Sequence, residues 1–453
     1  MSTVLRLFPG TLFAAALVAL LPACNGGGGS SSSINDSPRA STFAPDVATG
    51  WFDLLYTNVK SSSTAPPPAS RIYGYASIAL YESIVRGMPD HQSLQGQLVS
   101  FPAGTIPEPV NAPHHWPTVA NRALAVVAAS FFPAAQVDID ALEDANLTTY
   151  EATQTQAVID RSVQYGEDVA NAVLTWAAGD GFAGLAACNA AYVAPLDPAS
   201  GGWVATGPNQ GVGAFPCWGT LRTFAVTDAD ECPAVGAPPY SESTTSAYYG
   251  QALVVYGTTG DAGANLTTDQ DAIARFWADN AGATGTPGGH WICIVRIVAE
   301  ANDLKLDVAA EAYARVGLAI HDAFITCWRS KYDVYLQRPI TYIQANIDPT
   351  WDPLLGTPGF PAYTSGHSTQ SGAAATVLTG LFGPLAFTDT THSDLNPGLG
   401  VADRSFANFL DAANEAAVSR LYGGIHWPFD NQDGFNQGQC VGEIINTRVH
   451  FLE

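Results

Sequence analysis

Hydrophobic periodicity constrains this chain more than any other feature. Apolar residues recur at intervals of three and four over stretches too long for strands. The pattern predicts helices over 44–60, 70–87, 117–131, 137–145 and 151–178. The stretch 180–244 breaks it: Gly201-Gly202-Trp203 and Pro216-Cys217-Trp218-Gly219 sit among many glycines, prolines and aromatics with no sustained period. We read it as a long ordered loop region covering one end of the helices, because unstructured stretches of that length are rare without a role. Helices resume over 245–256, 268–280 and 290–302. A long one over 304–337 is stopped by Pro339, and others follow over 366–382, 404–422 and 431–450. Strand signals are sparse, and no internal repeat or late linker divides the chain. The expectation is an all-α protein with one helical domain over 41–453.

The N-terminus reads as an address. Arg6 precedes an apolar run, Leu12 to Leu21, too short to span a bilayer, as expected of a signal peptide over 1–24. Leu21-Pro22-Ala23-Cys24 resembles a bacterial lipoprotein cleavage box in which Cys24 carries the lipid, although Pro22 is unusual there and leaves plain cleavage as the alternative. Residues 25–40, rich in Gly and Ser, read as a flexible tether. The implied location is outside the cytoplasm, lipid-anchored and facing the periplasm or the exterior, or else secreted. Of the other cysteines, Cys188, Cys217 and Cys232 share the loop region, where an oxidising compartment lets some pair. Cys293 and Cys327 lie in apolar helical patterns and read as buried thiols. Acidic residues outnumber basic ones 41 to 18, a formal net charge of -23, which disfavours nucleic acid. A site for an anion therefore needs a local basic cluster working against the global field.

Three segments supply one. Lys331 and Arg338 are seven apart, nearly two helical turns, which predicts both on one helix face. Thr364-Ser365-Gly366-His367 opens an apolar helix, whose free N–H groups and dipole favour an anion. In Ser419-Arg420-Leu421-Tyr422-Gly423-Gly424-Ile425-His426, the glycines break the helix between Arg420 and His426. Pro428 suits the first turn of the next helix, and His426 and Asp430 then fall four apart on one face. Singly, each segment reads as a basic edge, an N-cap or a structural pair. Together, three cations, a Ser-Gly helix start and two histidines suit the binding of an oxyanion. No Walker loop, Rossmann glycine pattern or nucleophile elbow competes with them.

In order and spacing, these segments resemble the superfamily of vanadium haloperoxidases and type-2 phosphatidic acid phosphatases, with Thr364 in place of the usual proline. Cys327-Trp328, Phe360-Pro361-Ala362-Tyr363, Pro287-Gly288-Gly289-His290-Trp291 (with an extra Gly) and the Gly202-Trp203 to Trp218-Gly219 loop are similar to the vanadium chloroperoxidase branch. The resemblance covers most of the chain from about residue 70 and is strongest in 320–435.

The resemblance implies two four-helix bundles with long ordered loops and an active site within 328–430. It implies vanadate as cofactor, with phosphate able to occupy the same place. His426 would ligate vanadium and Asp430 would orient it. Lys331, Arg338 and Arg420 would neutralise the oxyanion with the Ser365 hydroxyl and the Gly366 N–H, and His367 would act as acid and base on hydrogen peroxide. Trp328 and Phe360 would stand behind them, Phe360 where bromoperoxidases carry His. The implied reaction oxidises bromide or iodide, with chloride a further candidate, and a small organic acceptor can follow; the sequence leaves oligomeric state open. The alternative is an acid phosphatase with a phosphohistidine at His426. A third reading is a non-catalytic oxyanion-binding lipoprotein, which has no need of His367. Elsewhere, His114-His115 lack a third metal ligand and read as surface or capping residues, His321-Asp322 as core or as support for the site, and His290-Trp291 as packing at a helix start.

Overall fold

The computed structural model describes residues 33–206, 211 and 213–453. The expected signal peptide and Cys24 lie outside the described residues. Ordered structure begins before Ser41: 3-10 turns occupy Ile34–Asp36 and Ala40–Thr42, the Ile34 N–H donates to Asn111 Oδ1, and Ala40 is buried. Residues 34–36 and 40, which fall within the expected tether over 25–40, thus take part in defined turns.

The first half of the chain folds into α1 (Asp46–Ser61), α2 (Pro66–Ile84), α3 (Trp116–Phe131), α4 (Gln136–Glu151) and α5 (Gln156–Ala177). Proline at the start of α2 and α3 suits a first turn that has no N–H to lose. The expected helix over 151–178 begins later, because residues 152–155 form the connection to α5. Among its described residues, the loop region holds one short α-helix, α6 (Leu185–Ala191), and a few 3-10 turns. Then come α7 (Ala247–Thr259), α8 (Thr268–Phe276), α9 (Thr286–Ala301), the 29-residue α10 (Leu306–Val334) and α11 (Pro339–Asn346). The last part comprises α12 (Gly366–Phe382), α13 (Thr391–Leu395), α14 (Phe409–Tyr422) and α15 (Pro428–Arg448). A two-stranded hairpin, β1 (Phe387–Asp389) and β2 (Arg404–Phe406), pairs antiparallel with Asp389 opposite Arg404. Arg404, expected to open a helix, thus lies on a strand.

The helices form the expected bundles, and α10 serves both. It packs on α2, which in turn packs on α3, α5 and α9; farther along it packs on α12 and α15, which meet α14. The α12–α15 interface is backbone against backbone. A Cβ at Gly438 would stand 2.0 Å from the Thr369 carbonyl oxygen, one at Gly442 2.9 Å from that of Ala373, and one at Gly434 2.9 Å from that of Ser365. Glycine at these positions brings the start of α12 against the first half of α15.

Two disulfides fasten the loop region. Cys188–Cys217 lies within it, and Cys232–Cys440 ties its end to α15 across 208 residues of sequence. Cys293 and Cys327 are free and buried, as their apolar surroundings predicted. The loops cover the C-terminal end of α10: the Trp203 N–H donates to the Tyr335 carbonyl at 2.8 Å and the Trp328 indole to the Ala214 carbonyl at 3.2 Å.

Candidate oxyanion site

Where the expected long helix should run on to 337, α10 ends at Val334. Tyr335 takes a left-handed conformation, and Arg338 is the N-cap of α11, a helix the sequence reading missed. Lys331 and Arg338 therefore do not share a helix face, yet both reach one place, because the turn at Tyr335 swings the chain back. Both are fully buried. Arg338 Nε donates to the Phe360 carbonyl at 2.9 Å, and its Nη1 donates to the Ile425 carbonyl at 2.8 Å. The Phe360 ring lies under both cations, 5.2 Å from Lys331 Nζ and 5.0 Å from the Arg338 guanidinium carbon. Trp328 packs on Phe360 with ring centroids 5.0 Å apart.

Ser365 is the N-cap of α12, as expected. Its Oγ accepts from the Ser368 N–H at 3.4 Å and the Ser368 hydroxyl at 2.9 Å, which leaves its own proton to donate. Gly366 is the first helical residue, so its N–H has no carbonyl within the helix to bond.

His426 and Asp430 also pair, but not across a helix face. His426 precedes Trp427, the N-cap of α15, and Asp430 is the third helical residue. Asp430 Oδ2 accepts from the Trp427 N–H at 3.1 Å and holds His426 Nδ1 at 2.9 Å. Arg338 Nη1 lies 3.0 Å from His426 Nε2. A guanidinium only donates, so Nε2 carries the lone pair and Nδ1 the proton. Burial, then Arg338, Lys331 and Arg420, pushes the imidazole well below its ordinary value. Its tautomer and neutral state are those a ligating or nucleophilic nitrogen requires.

His426 lines a cavity of about 180 Å³ together with Trp328, Phe360, Gly366, His367 and Arg420, and Arg338 adjoins that wall through His426 Nε2. The His367 ring bonds to the Trp277 carbonyl, and Nε2 is the buried ring nitrogen without a partner; Nδ1 therefore donates and Nε2 keeps its lone pair. Burial and then Arg420 push His367 well below its usual value, so it starts as a base. Arg420 Nη1 donates to the same Trp277 carbonyl. Burial lowers Arg338 to about 9 and Arg420 to about 10. Lys331 falls to about 7 through burial and then the repulsion of Arg338. Cations depressed in this way await a counter-charge.

The residues fit a tetrahedral oxyanion. Arg338 Nη2, Arg420 Nε and His367 Nε2 are buried polar atoms without a partner. Buried polar atoms are costly to leave unpaired, and two donors and one acceptor around one site mark a ligand. Lys331 differs from the expectation of a direct contact: its ammonium donates to the carbonyls of Pro361, Ala362 and Thr364, so it acts here through its charge.

The sequence reading passed over Asp279 and the Trp277 carbonyl. Both lie just after α8, whose expected extent to 280 stops at Phe276. Asp279 lines the cavity, and its Oδ1 is buried and unpartnered. Only the Trp277-x-Asp279 placement next to a helix end could have drawn notice. His290, expected to be packing, is instead bonded on both ring nitrogens by Asp279 and Asp389.

Other candidates resolve as structure. His321 is core: it stacks on Phe224 at 3.8 Å, while Asp322 accepts the N–H groups of Phe224, Ala225 and Val226. His114 and His115 are buried rather than at the surface. His115 is the N-cap residue of α3, but its ring bonds the Thr118 hydroxyl.

The fold and the cavity define a class: a mostly helical protein that gathers arginines, a helix start and two neutral imidazoles around a buried oxyanion-sized space. Residues 345–452 match the family model described as the VCPO second helical-bundle domain. The chain is 25% identical over 463 residues to vanadium chloroperoxidase of Curvularia inaequalis, covering 81% of this chain and 75% of that one. It is 38% identical over 104 residues to vanadium-dependent bromoperoxidase of Ascophyllum nodosum, covering 21% and 18% of the two chains. A bacterial vanadium-dependent iodoperoxidase of known crystal structure superposes with a TM-score of 0.81 at 33% identity, covering 91% of this chain and 98% of that one. The chain belongs to the vanadium-dependent haloperoxidase family.

Proposed function

We propose that this chain is a vanadate-dependent haloperoxidase that oxidises bromide, iodide or chloride. The observation that carries the reading is one cavity lined by Arg420, His367 and His426, where Arg420 Nε and His367 Nε2 are unpartnered and Arg338, itself with an unpartnered Nη2, sits against His426 Nε2. Bound vanadate would supply a Lewis-acidic centre that polarises peroxide without changing oxidation state.

The chain's own residues do the rest. His426 Nε2 supplies the ligand atom, with Asp430 fixing the ring through Nδ1. Arg338, Arg420, the Ser365 hydroxyl and the Gly366 N–H hold the oxyanion, and Lys331 adds charge from behind Phe360. His367 Nε2 takes a proton from hydrogen peroxide and returns it, so that peroxide, halide and one proton become hypohalous acid and water. The aromatic wall of Trp328 and Phe360 keeps water from the reacting atoms and leaves room for a small organic acceptor. Export to an oxidising compartment, anchored through Cys24 or secreted, is supported by the Cys188–Cys217 and Cys232–Cys440 disulfides.

The test is vanadium stoichiometry and peroxide-dependent halide oxidation on purified protein, before and after adding vanadate, beside hydrolysis of an aryl phosphate. Halide oxidation that appears with vanadate is the expected result. Its absence, together with brisk ester hydrolysis, would instead assign a phosphatase that uses His426 as nucleophile.

A further inference from the structure

His290 lies behind the cavity, on α9, with its side chain wholly enclosed. Nδ1 is 2.9 Å from Asp279 Oδ2 and Nε2 is 2.9 Å from Asp389 Oδ2. A neutral imidazole has one N–H, so two ionised carboxylates on its two nitrogens require the doubly protonated ring. Burial opposes that charge, but Asp279 and Asp389 together overcome it and lift His290 to about 10. The Trp277 indole stacks on the ring at 4.4 Å. Asp389 is pinned in turn: it lies on β1, and its Oδ1 accepts the Thr391 N–H at 3.0 Å.

Asp279, His290 and His392 stand close enough to suggest a metal site. The chemistry argues against it, because His290 has no free lone pair. His392 Nε2 lies 2.6 Å from the Phe276 carbonyl, and its Nδ1 faces the Asn396 amide at 3.3 Å. The cluster is a closed hydrogen-bonded chain with one open end, Asp279 Oδ1, on the catalytic cavity. Two residues earlier, the Trp277 carbonyl receives both His367 and Arg420.

We propose that His290 is a positioning residue: pinned by Asp389, it holds Asp279 and the 277–279 edge so that Arg420 and His367 are presented to the oxyanion. This rests on the reading of the cavity given above.

The experiment is calorimetric binding of vanadate and of inorganic phosphate to the full chain, with the vanadium NMR resonance of the bound vanadate as a second readout. His290→Gln should weaken binding by about tenfold or more in the wild-type background, and by less than about twofold once Asp279→Asn is present, since coupled residues are non-additive. Asp389→Asn, which preserves shape but removes the reason for a second ring proton, should weaken binding in the same direction, and the resonance should shift in both single variants. If His290→Gln fails to fold, Asp389→Asn carries the test. Folded variants that bind both anions with wild-type affinity, or a His290→Gln effect of equal size in the Asp279→Asn background, would overturn the proposal. A wild-type chain that binds neither anion would instead overturn the reading of the cavity.

Discussion

Gly438→Ala puts the backbone packing of α12 on α15 to the test. The added methyl would sit 2.0 Å from the Thr369 carbonyl oxygen, 2.8 Å from the Thr369 carbonyl carbon and 2.9 Å from the Ala373 nitrogen. All three are main-chain atoms, so no side-chain rotation relieves the clash. Restoring ordinary contact means moving the helices apart by about 1.4 Å, and overpacking of this kind costs about 1–3 kcal/mol. Alanine recovers up to about 1 kcal/mol of helix propensity, leaving a net loss of about 2 kcal/mol for a clash against rigid backbone. The functional loss should be larger. Thr369 is one turn beyond Ser365 and Gly366, and α15 begins beside His426, so the separation pulls the two halves of the cradle apart. A misplacement near 1 Å can lower turnover about a hundredfold. Gly250→Ala on α7, where nothing lies within 4 Å of the new methyl, is the matched control and should raise stability by up to about 1 kcal/mol. Thermal unfolding and vanadate-reconstituted bromide oxidation read both variants. A Gly438→Ala chain that melts no lower than wild type and turns over normally would refute the reasoning.

Other perturbations have equally definite outcomes. His367→Ala should keep oxyanion affinity within a few fold while halide oxidation falls by about 10²–10⁴, as loss of a general acid–base group does; calorimetry beside kinetics checks it. Oxyanion affinity should weaken as pH rises above about 7, because Lys331 then has to gain a proton on binding. The Lys331→Met variant should lose about one unit of that logarithmic slope. The same group affects stability with the opposite sense. Its folded value lies below its unfolded one, so its burial penalty is full below about 7 and fades as pH rises toward 10.5, which denaturant titration at several pH values will show. Replacing Cys232 and Cys440 by serine opens a crosslink that spans 208 residues of sequence, and should lower stability by about 2–5 kcal/mol in chemical denaturation.

Much of the helical architecture was legible in the sequence because period and punctuation are local properties. Apolar spacing located α2, α3, α10 and α12, and Ser365 announced itself as a cap. The boundaries that failed did so where a local signal met a tertiary demand. Pro339 marked a stop, but the turn came earlier, at Tyr335, whose carbonyl accepts the Trp203 N–H while the Gln337 N–H donates to the Gly201 carbonyl. Arg404 was drawn into a strand by pairing with Asp389, a partner no local window contains. The Cys232–Cys440 pairing was equally hidden, since only the fold brings α15 beside the loops.

The sequence by itself determined which groups are available: three cations, two histidines, a Ser-Gly helix start and an aspartate four residues beyond His426. The tertiary structure decided what each became. Arg338 against His426 Nε2 set the tautomer, three carbonyls claimed the Lys331 ammonium, and the enclosure of His290 between two carboxylates turned an expected packing residue into a buried cation. Protonation and hydrogen-bond partnership depend on which atoms lie within about 3 Å and how much water is excluded, and those quantities exist only once distant segments have packed.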